Sequence, residues 1–215
     1  MADPHSALAE QFTEMPQQKE AATLGMWTFL ATEVLFFGVM FTGYLICRQA
    51  YPQAFAEASR HTVLLFGTLN TAVLLTSSLS VALAIHALKS GRNTQAVRLL
   101  VVTVVLGVVF LGVKGLEYHK DIEEHLWPGS HFRAELPPAA QLFWFLYWVM
   151  TGVHALHVTV GTVLLAIMAR MTARGRFSTA YYTPVEMSGL YWHFVDVVWI
   201  DLYPLLYLVH RYGSV

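Results

Sequence analysis

Five long apolar stretches, at residues 23–46, 62–88, 97–116, 139–168 and 187–209, are separated by short intervals that hold most of the charges. A helix rises about 1.5 Å per residue, so about 20 residues cross the ~30 Å of hydrocarbon in a bilayer. Each stretch reaches that length. The pattern predicts an all-α integral membrane bundle of five transmembrane helices. The fourth stretch is the longest and predicts a helix that tilts or projects beyond the bilayer. The third is crowded at its far end by Lys114 and Glu117. Ahead of the first, residues 1–22 carry Asp3, Glu10, Glu14, Lys19 and Glu20 and lack the basic start and short apolar core of a secretory signal peptide. They read as a soluble N-terminal tail, with 23–215 as one transmembrane domain. The one sizeable connection, 118–138, is charged and closes on Pro137 and Pro138.

Composition sharpens this picture. Of 215 residues, 56% are hydrophobic and only 13% are Asp, Glu, Lys or Arg, where an ordinary soluble domain has about a quarter charged. A large buried core alone does not produce that balance, and a membrane does. A net charge of −1 without a basic, aromatic-laced patch excludes nucleic acid as a partner. The single cysteine, Cys47, excludes an intrachain disulfide and a thiolate metal cluster. Orientation follows from the short basic connections. Lys89 and Arg92, with Arg98 at the very start of the third stretch, make up the connection from the second to the third, and Arg170, Arg174 and Arg176 lie between the fourth and fifth against Glu186. With five spans these connections and the N-terminus share one side, the cytoplasm of a bacterium or the matrix of a mitochondrion. The C-terminus then faces outward.

Ionisable residues inside the apolar stretches need a reason to be there. Glu33 stands about nine residues into the first stretch, near 14 Å of depth at the rise of a helix. Its carboxylate must be neutralised, hydrogen-bonded or turned toward protein. A neutral acid that ties helices together and a proton-responsive site both satisfy that demand, and a histidine of the fourth stretch, His154 or His157, is the expected partner. These two histidines are three apart and so share a helix face. They read either as a packed, hydrogen-bonded pair or, given further ligands that the sequence does not offer nearby, as part of a metal site. A bis-histidine heme requires His193 of the fifth stretch as the second ligand. His193 and Asp196, again three apart, are expected to form a shared hydrogen-bonded unit facing other helices.

The strings LATEVLFFG (30–38), LNTAVLLTSSLSVALA (69–84), GLEY (115–118), TGVHALHVTVG (151–161) and YWHFVDVVW (191–199) follow one another on the five stretches. In that order they resemble the helix signatures of the heme-copper oxidase subunit III family, in its short bacterial form. The resemblance implies that Glu33 is the family's carbodiimide-reactive intramembrane glutamate. It also implies that Glu117, His154, His157, Glu186, His193 and Asp196 are the polar residues that tie the bundle together, and that Arg170 or its rival Arg174 meets a phospholipid head group. It implies an accessory subunit with no redox cofactor, metal site or catalytic residue of its own, packed against catalytic subunit I and subunit II, which carry the hemes and copper. Such a subunit holds structural phospholipid, supports proton uptake and prolongs turnover, in a bacterial inner membrane. Asp201, at a place usually apolar in the family, and the acidic EYHKDIEEH segment depart from the pattern.

Three function classes remain open on these grounds. The first is an accessory subunit of a cytochrome c oxidase, and the second is the same role in a quinol oxidase or nitric oxide reductase. The third, an independent enzyme or transporter built on Glu33 and the histidines, lacks repeated broken helices and any nucleophile or cofactor motif.

Overall fold

The computed structural model describes residues 10–130, 132–179 and 181–208, and these contain six helices: α1 (Met15–Ala50), α2 (Pro52–Ser59), α3 (Leu64–Lys89), α4 (Asn93–Glu123), α5 (Ala140–Ala173) and α6 (Thr183–Tyr207). The fold is all-helical. The breaks between helices follow from local chemistry. Pro52 forces Tyr51 out of the helical region, to φ −133° and ψ 56°, and so divides α1 from α2. Gly91, at φ +72°, closes α3, with the Arg92 amide reaching back to the Ala87 carbonyl at 2.8 Å. Gly175 repeats the device at the end of α5, with Arg176 bonded to Met171. A left-handed residue is required at both places, and only glycine takes it without a Cβ clash.

The expectation of five transmembrane helices is overturned. Among the described residues four helices, α1, α3, α4 and α5, are long and apolar enough to cross a membrane. The fifth predicted stretch folds as α6, whose 25 residues give ample length. Its composition fails instead, because Glu186, His193, Asp196, Asp201 and Pro204, with several Tyr and Trp side chains, dilute the aliphatic residues. Much of that polarity points inward. Asp196, Trp192 and Trp199 are buried between neighbouring helices rather than exposed on the outer surface. A sixth helix, α2, was too short and too polar to register in the hydropathy pattern.

Other boundaries also moved. The third stretch was read as ending at residue 116, but α4 continues through Glu123, because Lys114, Glu117 and Asp121 all lie on its buried face and do not meet solvent. α1 begins at Met15, ahead of the apolar stretch that starts at Thr23.

Helices α3, α4, α5 and α6 form a ring in which α3 and α5 each contact both α4 and α6. α1 lies outside this ring, against α5 and α6, and α2 folds back onto α5 and α1. The division shows in burial. α5 turns many side chains inward, among them Phe143, Trp144, Tyr147 and Met150, whereas α1 buries only Leu30, Phe37 and Tyr44. Those three are seven residues apart, a single narrow seam of the kind that a helix uses to lie along a neighbour. The rest of α1 is apolar and exposed, with Leu24, Leu35 and Val39 each more than 70% accessible. Exposed valines and leucines likewise cover the outside of α3, α4 and α5. A surface of this kind requires hydrocarbon or another apolar protein against it, and the chain is an integral membrane protein.

Close approach in the ring centres on Trp192. Its fully buried indole fills a slot made by two glycines: a Cβ on Gly161 would come within 2.8 Å of the indole, and one on Gly107 within 2.9 Å. The indole nitrogen donates to Ser77 Oγ of α3 at 3.0 Å, so one side chain of α6 locks three neighbours.

Candidate functional site

The polar residues fall into separate groups along the bundle. The most enclosed lies toward the far end of α4. Lys114, Glu117 and Asp121 follow at spacings of three and four, so they share one helix face, and all three are almost completely buried. Lys114 Nζ reaches Glu117 Oε2 at 3.0 Å, Tyr147 Oη at 2.9 Å and Tyr207 Oη at 2.8 Å. Tyr207 Oη is 2.7 Å from Glu117 Oε1, and Tyr147 Oη is 3.0 Å from both Glu117 Oε1 and Asp121 Oδ2. The rings of Tyr118, Tyr147, Trp199 and Tyr207 surround the ammonium at 4.6 to 5.7 Å from their centroids. Of these residues the sequence reading singled out only Glu117 as a site residue. Lys114, Asp121, Tyr147 and Tyr207 were missed, although the three-and-four spacing of Lys114, Glu117 and Asp121 at the end of an apolar run was the available signal.

The second group joins α1 to α5. Glu33 Oε2 is 3.1 Å from His157 Nε2, and both side chains retain less than a fifth of their exposure. His157 Nδ1 is 2.9 Å from the Val153 carbonyl oxygen, which can only accept, so Nδ1 carries a hydrogen. Two states are then compatible with the Glu33 contact. Either an imidazolium donates to a carboxylate, or a neutral acid donates to the free Nε2 lone pair. The proton count is the same in both, and so is the total charge of zero. Phe37 meets the imidazole edge-on at 5.1 Å and Tyr191 lies parallel to it at 6.4 Å, which shields the pair on two sides.

His154 does not join His157. One turn earlier on α5 and fully buried, it stacks on Trp199 at 5.2 Å with Phe110 against its edge, and neither ring nitrogen has a hydrogen-bond partner among the described residues. The expected His193–Asp196 unit does not form either. His193 Nδ1 instead contacts Ser78 Oγ of α3 at 2.6 Å. Asp196 lies near the same serine without hydrogen-bond geometry, and both its oxygens lack a partner among the described residues. Glu186 accepts from Lys89 Nζ at 2.8 Å and ties α6 to α3, and Lys89 and Lys19 both lie over the Tyr182 ring. The start of α1, the end of α3 and the start of α6 therefore share one end of the bundle. Arg170 and Arg174 are exposed where α5 ends. The described residues contain no group of three or more His, Cys, Asp or Glu side chains placed to hold a metal ion.

These groups lie on a chain that matches, over residues 9–211, the family described as cytochrome c oxidase subunit III. The chain belongs to that family. Among curated relatives it is 34% identical to the cytochrome c oxidase subunit 3 of Thermostichus vulcanus over 190 residues, covering 88% of each protein. It is 33% identical to the protein of that name from Synechocystis sp. over 186 residues, covering 86% of this chain and 74% of the relative. It is 32% identical to that of Branchiostoma lanceolatum over 189 residues, covering 85% and 67%. Glu33, Glu117, His154, Glu186, His193 and Asp196 are distributed over several groups, and no single pocket gathers them.

Proposed function

We propose that this chain is the accessory subunit III of a respiratory terminal oxidase, which packs against the catalytic subunit and works without a redox centre of its own. The observation that carries the reading is the family match over residues 9–211. The exposed apolar faces, which suit a second membrane protein as well as lipid, agree with it. The curated relatives are named for cytochrome c oxidase, which favours cytochrome c over quinol as the electron donor of the complex. A neighbouring gene for a subunit with a copper-binding cysteine pair would agree with that choice.

In this reading the end of the bundle that carries Lys89, Arg92, Arg98, Arg170, Arg174 and Arg176 faces the cytoplasm of a bacterium, because short basic connections stay on that side. The start of α1 lies at this end and the end of α6 at the other. Arg170 and Arg174, exposed where α5 stops, hold phospholipid phosphate with their paired donors. Changing both to Ala is expected to lower the phospholipid retained by the purified complex in native mass spectrometry, and unchanged retention would remove them from this role.

The accessory role is tested by affinity purification through this chain. Heme-containing partners are expected to co-purify, while the chain expressed alone is expected to show no Soret absorption. A stoichiometric Soret band that survives detergent washing of the isolated chain overturns the reading.

A further inference from the structure

The cluster around Lys114 contains more close polar contacts than its ordinary hydrogens can fill. Six are present: Lys114 with Glu117, Tyr147 and Tyr207, Glu117 with Tyr147 and Tyr207, and Tyr147 with Asp121. An ammonium supplies three hydrogens and each phenol supplies one, while an ionised carboxylate supplies none. Five hydrogens must serve six contacts. The three from Lys114 go to its three neighbours, and Tyr207 donates to Glu117. Tyr147 has a single hydrogen for two carboxyl oxygens, each 3.0 Å away. Whichever it serves, the other contact brings lone pairs together in a site closed to water.

Charge leads to the same conclusion. With both acids ionised, one lysine faces two carboxylates, and the buried cluster carries a net negative charge. A buried uncompensated charge costs several kcal/mol even after relaxation. Beyond the cluster, Glu124 at the end of the same helix and Tyr118 lie near Asp121 and supply no cation, and the adjacent Lys120 is half-exposed and turned to Glu124 at 3.8 Å. α5 contributes Tyr147 and α6 contributes Tyr207. One added proton resolves both the hydrogen count and the charge.

We infer that Lys114, Glu117, Asp121, Tyr147 and Tyr207 form a proton-holding site whose ligand is one transferable proton, resting on Asp121 and connected through Tyr147 to Glu117. In the resting arrangement Asp121 donates to Tyr147 Oη, Tyr147 donates to Glu117 Oε1, and the Glu117 carboxylate pairs with the Lys114 ammonium. Transfer needs no redox partner. The Asp121 proton passes to Tyr147 Oη as the Tyr147 proton passes to Glu117 Oε1, so the negative charge moves from Glu117 to Asp121 and the total charge stays at zero. Asp121 is two residues from the end of α4, at the opposite end of that helix from Arg92, so the site lies toward one face of the bundle. It can take a proton from that face or return one to it.

Infrared spectroscopy of the full chain in lipid nanodiscs at neutral pH tests this. A neutral carboxylic acid has a carbonyl stretch, absent from carboxylates, that shifts in deuterated water. That band is expected in the parent protein and is expected to lose the intensity of one carboxyl in Asp121→Asn. The same loss is expected in Glu117→Gln, because removal of the Glu117 anion draws the proton off Asp121 to leave a counter-ion for Lys114. Persistence of the full band in either variant overturns the inference. If neither variant folds, labelling the aspartate carboxyl with carbon-13 in an Asp196→Asn background decides: a neutral-acid band that moves on labelling supports the site, and one that does not move overturns it.

Discussion

Glu33 and Lys114 are both ionisable side chains on long apolar helices, but the protein accommodates them in different ways. Lys114 is enclosed by the helix ring, almost fully buried, with three hydrogen-bond acceptors and four aromatic faces about it. Glu33 stands on α1, outside the ring, partly exposed and held by one histidine. The first arrangement is expensive to disturb because its members cannot recover contacts with water. The second can relax, because α1 is attached along a narrow seam, with polar contacts that include Lys19 beside Tyr182, Glu33 at His157, and the Tyr44 hydroxyl on the Leu205 carbonyl. The ring encloses its charged cluster, and the outlying helix leaves its acid partly exposed.

The largest test of this contrast is Lys114→Met. It removes a buried cation and leaves Glu117 with two phenol donors and no counter-ion, a break worth about 3–5 kcal/mol for a buried pair. The expected result is a large fall in melting temperature in detergent, or loss of the chain from the membrane. Adding Glu117→Gln should recover part of that loss, since the two sites are in contact and their effects are not additive. If Lys114→Met melts like the parent, the cluster does not hold the ring together.

The same contrast explains what the sequence made legible. An apolar stretch marks a helix well where turn chemistry bounds it, so α3 lies close to its expected limits, closed by Gly91, while α5 runs past its expected end to Ala173 before Gly175 closes it. It fails where polar residues point inward. Lys114 and Glu117 read as a crowded end of the third stretch and Asp121 as part of the charged connection after it, although all three lie on the buried face of α4. In α6 the same inward polarity lowers the hydropathy, and among the described residues the helices long and apolar enough to cross a membrane fall from the expected five to four. Depth narrows the partner of Glu33 to the histidines near mid-depth, of which the two of the fourth stretch are expected. Only the packing of the ring, which encloses His154 against Trp199 and leaves His157 toward α1, separates them. The pairing of His193 with Asp196 follows from their spacing and the cost of an isolated charge in lipid, and Ser78 of another helix takes the histidine instead.

A middle-sized effect is expected at the Trp192 slot. Gly161→Val places branched carbons where even a Cβ would approach the indole to 2.8 Å. Trp192 is bonded to Ser77 and cannot retreat without losing that contact. Overpacking of this kind costs about 1–3 kcal/mol, to be read as a lower melting temperature with the secondary structure retained. An equivalent branched residue at Gly38 of α1, where a Cβ would have nothing within 4 Å, should change melting little. Equal losses at the two sites would erase the distinction between ring and outlying helix.

The smallest effect is expected at Glu33, and the replacement chosen decides what is learned. Because His157 Nδ1 is committed to the Val153 carbonyl, a neutral His157 offers its Nε2 lone pair to whatever residue 33 presents. Glu33→Gln supplies an amide donor of almost the same shape, so the link between α1 and α5 survives while the exchangeable proton is lost. Glu33→Ala loses both, at about 1 kcal/mol for a partly exposed hydrogen bond. The two variants therefore separate structure from proton chemistry. In the assembled oxidase, Glu33→Gln should leave subunit retention and the initial rate of oxygen consumption near the parent values, and should show its defect as a rate that decays over many turnovers. Glu33→Ala should add a measurable loss of this subunit on detergent washing. A residue that acts from an accessory subunit can alter how long the catalytic subunit works, but it cannot be required for the first turnover. Should Glu33→Gln abolish that first turnover with every subunit and heme still in place, the proton of the Glu33–His157 pair takes part in the reaction itself, and the proposal that this chain is an accessory subunit fails.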